Sequence, residues 1–189
     1  MQSELWFPST IWNTTLTNID NTAIANFAQE LRATTSGTTI SNYGGWHSLN
    51  LTAGMCNELD ELVRTIESNV LECAKEVNIG PVELSNVWIN INPPGSYNTL
   101  HHHLGSLFSG AYYIDANPSQ GNIQFERNDG AEYHLPLDLE NKNHYTNTRA
   151  TYPAETGKLY VFPGWLKHSV QGNMTEHDRI SLSFNYGVK

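Results

Sequence analysis

The stretch Val87-Trp-Ile-Asn-Ile-Asn-Pro-Pro-Gly-Ser-Tyr-Asn-Thr-Leu-His-His-His103 decides the fold. Val87, Ile89 and Ile91 alternate with Trp88, Asn90 and Asn92, the period of a strand with one apolar face and one aromatic, amide-bearing face. Pro93-Pro94-Gly95 ends that strand. The histidines then stand at the mouth of another strand. In extended backbone, successive side chains point to opposite sides, so His101 and His103 share a face and His102 points away. Two imidazoles so spaced can reach one metal ion. A third ligand must come from elsewhere, and His168, in Val161-Phe-Pro-Gly-Trp-Leu-Lys-His-Ser-Val170, is the candidate.

Upstream of this stretch the period is helical. Asp20 or Asn21 can cap a helix from about Thr22, with Ile24, Phe27, Ala28 and Leu31 at helical spacing. From Asn57 to Val77, the residues Leu59, Leu62, Val63, Ile66, Val70, Cys73, Ala74 and Val77 form one stripe, and Gly80-Pro81 stops it. Residues 4–12 are apolar and aromatic and are expected to add an edge strand. Downstream, strands are predicted at 109–114, 122–127, 158–162, 167–171 and 179–186, separated by turn residues. The fold class is therefore mainly β, a jelly roll of cupin-like kind with two N-terminal helices packed on one sheet. One domain over 1–189 is expected, with 1–80 as helical support and 81–189 as the jelly-roll core. Residues 130–157 are polar and irregular. They read either as a lid or substrate loop or as a surface insertion with a strand of its own.

A hydrophobic share of 39% in 189 residues, with five Trp and nine Tyr, excludes a disordered chain. The net charge of -9 argues against nucleic acid as a partner, but leaves room for a small acidic ligand held by a local cation. Cys56 and Cys73 match no zinc spacing, and Cys73 reads as a small buried hydrophobe. No apolar run suits a membrane span, and no signal peptide is read at the start. An intracellular, reducing compartment is the expectation.

The strand Arg179-Ile-Ser-Leu-Ser-Phe-Asn185 begins eleven residues after His168. Its planar guanidinium matches a carboxylate bidentately. Ser181 shares its face and can add a hydroxyl. Ser183 and Asn185 continue that polar face, opposite Ile180, Leu182 and Phe184. Of Tyr112 and Tyr113, Tyr113 is the favoured inward residue, with Gly105 and Gly110 as places where the register can break. Asn90 and Asn98 are candidates to contact a small-molecule co-substrate or to fix histidine tautomers. Asp115 and Glu126 are reserve ligands. Trp46 and Trp165 read as packing residues, Trp165 beside the distal histidine. His47 reads as a hydrogen-bonding residue, and His134, His144 and His177 as solvated ones.

Several segments in this order carry a resemblance: Leu5-Trp-Phe-Pro-Ser-Thr-Ile-Trp12, Ser41-Asn-Tyr-Gly-Gly-Trp-His-Ser48, His101-His-His-Leu-Gly-Ser106, Ser109-Gly-Ala-Tyr-Tyr113, Phe162-Pro-Gly-Trp-Leu-Lys-His168 and Arg179-Ile-Ser-Leu-Ser-Phe-Asn185. Together they resemble the 2-oxoglutarate/Fe(II) oxygenase family of bacteria and phages, within the double-stranded β-helix superfamily. The resemblance implies Fe(II), 2-oxoglutarate as co-substrate and O2. Succinate and CO2 would be released while an unidentified substrate is hydroxylated, in the cytoplasm of a bacterial or phage-infected cell. It implies His101, His103 and His168 as metal ligands and Arg179 as anchor of the distal carboxylate, with Ser181 completing an Arg-x-Ser pattern. Most of the superfamily carries His-x-Asp or His-x-Glu where this chain has His101-x-His103. Two other readings stay open: a three-His dioxygenase that needs no 2-oxoglutarate, with Arg179 gripping the substrate, and a non-catalytic metal-containing jelly-roll binding module. The sequence does not name the primary substrate, and a homodimer is left open.

Overall fold

The Asp20 carboxylate accepts a hydrogen bond from the Ala23 backbone N–H at 3.0 Å and so starts the first helix, α1 (Asn21–Thr34), which buries Ile24 and Ala28. The second helix, α2 (Asn57–Glu76), buries Leu59, Leu62, Ile66, Val70, Cys73 and Ala74, the stripe its periodicity predicts. Both helices pack on one face of a sheet. The structure is a computed structural model, and it describes residues 1–136 and 139–189.

That sheet has six antiparallel strands: β1 (Trp12–Thr15), β3 (Trp46–His47), β4 (Val82–Asn92), β6 (Phe108–Asp115), β9 (Lys158–Pro163) and β11 (Arg179–Val188), in the order β1-β9-β6-β11-β4-β3. A second sheet of five strands holds β2 (Asn42–Tyr43), β5 (Tyr97–His101), β7 (Ile123–Glu126), β8 (Arg149–Tyr152) and β10 (His168–Val170), in the order β2-β5-β10-β7-β8. From β4 to β7 and again from β8 to β11, successive strands alternate between the two sheets, the winding of a double-stranded β-helix. The predicted fold class is the one observed.

The large sheet separates two cores. Val87, Ile89, Ile91, Tyr112, Leu159, Val161, Leu182 and Phe184 pack with the helices. The alternate residues Tyr113, Tyr160 and Phe162 meet Ile123, Phe125 and Leu166 of the second layer. Period-2 alternation thus sends each strand's odd and even residues to different neighbours. Among the described residues, no helix is long and apolar enough to cross a membrane.

Three expectations change. The edge strand sits at 12–15, and residues 1–11 form no strand; Leu5, Trp6 and Phe7 stand exposed. The segment 1–80, read as helical support, also supplies β1, β2 and β3 to the two sheets. Finally, β6 runs unbroken through Gly110, and its irregularity lies at Ile114, between the pairs Ile180–Asp115 and Ser181–Tyr113. Residues 149–152 of the polar stretch form a strand of their own, and no described residue of 130–157 lines the cavity discussed next. Positions 137 and 138 of that stretch lie outside the described residues.

Candidate active site

The small sheet carries the histidines. His168, the first residue of β10, pairs with His101 of β5 on one side and Phe125 of β7 on the other. Three residues of β10, from His168 to Val170, span four of β5, from His101 to Asn98. This bulge turns Asn98 and His101 into the same cavity, where strict alternation would set them on opposite faces. His103 lies past the end of β5. Its backbone N–H donates to Gly164 O at 2.8 Å, and that tie, rather than strand geometry, aims its ring inward. Gly164 is required there because a methyl group would overlap the Ser106 backbone. His102 is exposed, as the alternation predicts.

The imidazole nitrogens of His101, His103 and His168 lie within 4.8 Å of one another. Nε2 of His103 and Nε2 of His168 are 3.3 Å apart. Two ligand nitrogens about 2.1 Å from one ion at a right angle would stand about 3 Å apart. Nδ1 of His101 faces Thr99 O at 2.7 Å, and Nδ1 of His168 faces Leu166 O at 2.9 Å. A carbonyl only accepts, so each Nδ1 carries the proton and each Nε2 keeps a free lone pair. Backbone carbonyls thus fix these tautomers, and neither Asn90 nor Asn98 does. Burial pushes the His168 imidazole down to about 3 and His103 to about 4, and it lowers His101 as well. All three are neutral near pH 7 and can act as ligands. Among the described residues this is the one cluster that could hold a metal. Asp115 is exposed, and Glu126 is paired with Arg149 at 2.6 Å, so neither reserve carboxylate joins it.

The large sheet supplies the floor. Arg179 is 1% exposed. Its Nη1 donates to Gln120 O and, at 3.1 Å, to Gln171 O, while Nη2 has no partner. Ser181 and Tyr113 face each other across β11 and β6, and both line the cavity with Arg179. Burial raises the Tyr113 phenol to about 12, so it stays protonated and can donate. Tyr112 points the other way and donates to Asn21 Oδ1 at 2.9 Å. Asn90 lines the cavity, with Nδ2 donating to Ser183 Oγ at 3.1 Å and Oδ1 unpartnered. Asn98 also lines it, sharing long contacts of 3.4 Å with Asn92 and Ser41.

Trp88 and Ser41 are among the cavity residues that the sequence reading did not place there. Trp88 lies 5.9 Å from His103, ring to ring, and stacks on His47 at 5.3 Å with planes 11° apart. Its place on the amide-bearing face of β4 was the available signal. Ser41 lines the cavity from the segment 41–48, which carried the family resemblance but pointed to no site role for the serine. Trp165 was expected to pack beside His168 but is 46% exposed. Trp46 packs on the core beneath the helices, His47 bonds to Ser48 O at 2.6 Å, and His134, His144 and His177 are exposed.

The donor set fits Fe(II), which accepts imidazole nitrogen well, and the bare, buried guanidinium nitrogen fits a carboxylate. Residues 86–185 match the family described as Putative 2OG-Fe(II) oxygenase, and the chain belongs to that family. It is thus an oxidoreductase of the class that uses Fe(II) and 2-oxoglutarate (2OG). No curated protein matches the sequence. Three similar solved structures share the fold. The α-ketoglutarate-dependent carbocyclase SnoK from nogalamycin biosynthesis is 13% identical, with 95% of this chain and 80% of that one covered and a TM-score of 0.70. A Pseudomonas putida prolyl-4-hydroxylase is 13% identical, over 96% and 94%, at 0.66. HygX from Streptomyces hygroscopicus, solved with nickel and 2-oxoglutarate bound, is 14% identical, over 96% and 84%, at 0.64.

Proposed function

We propose that this chain hydroxylates a C–H bond of its primary substrate, with His101, His103 and His168 holding the iron and Arg179 anchoring 2-oxoglutarate. The observation that carries the reading is one cavity holding both a cluster of neutral imidazoles and a buried guanidinium with an unused donor. Fe(II) with 2-oxoglutarate and O2 supplies oxidation of a C–H bond to an alcohol, the co-substrate leaving as succinate and CO2. The chain's own residues do the rest. Thr99 and Leu166 carbonyls hold two imidazoles in the ligating tautomer. Gln120 and Gln171 carbonyls orient the guanidinium so that Nη2 is free for the distal carboxylate, where Tyr113 and Ser181 add hydroxyl donors. Phe125 and Phe162 pack on His168 and keep bulk water from that side.

Three imidazoles leave the metal's charge at +2, where a carboxylate ligand would lower it to +1. That feature favours a second reading, a three-His dioxygenase without 2-oxoglutarate, in which Arg179 grips an acidic substrate. Anaerobic addition of Fe(II) and 2-oxoglutarate separates the two. The first reading expects a weak visible absorption band that His168→Ala abolishes, and succinate once O2 is admitted. O2 consumption without succinate supports the second, and absence of both band and 2-oxoglutarate binding ends the first.

A further inference from the structure

Two buried polar atoms in the cavity wall have no hydrogen-bond partner among the described residues, Arg179 Nη2 and Asn90 Oδ1. On the oxygenase reading, which this inference rests on, the co-substrate satisfies only the first. 2-Oxoglutarate at neutral pH is a dianion that only accepts; it has no O–H or N–H to offer an amide oxygen. Asn90 is 5% exposed, and its Nδ2 is already committed to Ser183. An acceptor so buried and left bare is unfavourable, so a ligand that supplies a donor gains by filling it.

The strand register says which ligand that is. Across β4 and β11, Asn92 stands opposite Arg179, Asn90 opposite Ser181 and Trp88 opposite Ser183. Asn90 is thus one inward position from the guanidinium row, on the way to Trp88, which lies beside His103. Trp88 is braced by its stack on His47 and forms a flat wall there. Apart from the histidines and Arg179, every described residue lining the cavity is neutral. Among the described residues no carboxylate lines it to receive an ammonium group, and a second anion would have to share the Arg179 guanidinium.

We infer that Asn90 selects the primary substrate: its Oδ1 accepts a hydrogen bond from a neutral donor of that substrate, a hydroxyl or an amide N–H, whose apolar body lies against Trp88. The test is anaerobic calorimetric titration of the Fe(II)- and 2-oxoglutarate-loaded protein with four probes. Methyl glucoside offers hydroxyls, N-acetylalanine methylamide offers amide N–H groups, and glucosamine and glucuronate are charged counterparts. At least one neutral probe should bind, and which one does identifies the donor. The charged pair should bind about ten-fold more weakly or worse. Asn90→Leu should weaken the neutral probe about ten-fold while moving 2-oxoglutarate affinity by less than about three-fold. Trp88→Leu should also weaken the probe, and it carries the test if Asn90→Leu does not fold.

Failure of both neutral probes overturns the inference, as does unchanged probe binding in both variants. So does a loss of about ten-fold in 2-oxoglutarate affinity on Asn90→Leu. That result would mean the amide is turned, with Nδ2 on the co-substrate and Ser183 donating to Oδ1. If the wild-type protein binds no 2-oxoglutarate at all, the oxygenase reading fails instead, and the same probes on the Fe(II)-loaded protein still decide the role of Asn90.

Discussion

The two faces of the large sheet are built from the same strands and differ in every other residue. Ile89, Ile91, Leu182 and Phe184 turn to the helices together with two phenols: the Tyr112 hydroxyl finds Asn21, and the Tyr186 hydroxyl is buried without a partner among the described residues. Trp88, Asn90, Arg179, Ser181 and Ser183 turn to the cavity, where a guanidinium nitrogen and an amide oxygen are left bare. The first face leaves one neutral hydroxyl bare in an apolar core; the second leaves a guanidinium nitrogen and an amide oxygen bare beside a cavity that a ligand can enter, and a buried unpaired polar group calls for a partner. The contrast therefore separates residues kept for stability from residues kept for binding, on a scale of single positions.

The contrast breaks most visibly if the helix face does not dominate stability. Phe184→Ala should cost about 3–5 kcal/mol, since a fully buried ring leaves a cavity that rigid strands cannot close. Chemical denaturation measures it, and a cost under about 1 kcal/mol would show that this core is not well packed. The cavity face should respond in binding instead. Arg179→Met should weaken 2-oxoglutarate by about 10- to 100-fold, the worth of charge-assisted hydrogen bonds to a carboxylate, followed through the anaerobic absorption band. Its stability loss should be the smaller of the two, because burying a charge is itself unfavourable and only the Nη1 bonds to Gln120 and Gln171 are forfeited. An Arg179→Met protein that unfolds but still binds co-substrate would reverse the assignment of the two faces.

This alternation was legible in the sequence. Val87 to Asn92 and Arg179 to Asn185 each display period 2, and the helix stripe of Asn57 to Val77 displays period 3.6. The fold followed from those patterns, and the grouping of His101, His103 and His168 followed from their spacing and order. What escaped the sequence was non-local. The β5 bulge that aims His101 depends on pairing with β10, and the ring of His103 is aimed by Gly164, sixty-one positions away in the chain. Backbone carbonyls fix the histidine tautomers, and a carbonyl leaves no trace in residue identity. The strands β2 and β3, two residues each, are too short to show a period.

Gly110 lies where the faces meet. It lines the cavity from β6, opposite Phe184, yet a methyl group there would overlap the Phe184 ring and the Tyr160 carbonyl. Gly110→Ala should destabilise by about 1–3 kcal/mol, the cost of overpacking a closed core. If thermal unfolding shows no shift, Phe184 has room to move, and the helix-side packing is looser than its burial indicates.

The finest division is between two adjacent tyrosines. Tyr112 and Tyr113 are both fully buried, and each would lose only a hydroxyl on substitution by Phe. The Tyr112 hydroxyl donates to Asn21, the first residue of α1, so Tyr112→Phe should cost about 1 kcal/mol of stability and leave 2-oxoglutarate binding unchanged. The Tyr113 hydroxyl has no hydrogen bond to lose among the described residues and lies near Arg179 in the cavity wall, so Tyr113→Phe should leave stability within about 0.5 kcal/mol and weaken 2-oxoglutarate by a few-fold. Paired denaturation and co-substrate titrations of the two variants give a crossed pattern if each residue belongs to its own face. Equal effects of both substitutions on stability, with none on binding, would mean that the cavity face is ordinary core and that its bare donors serve no ligand.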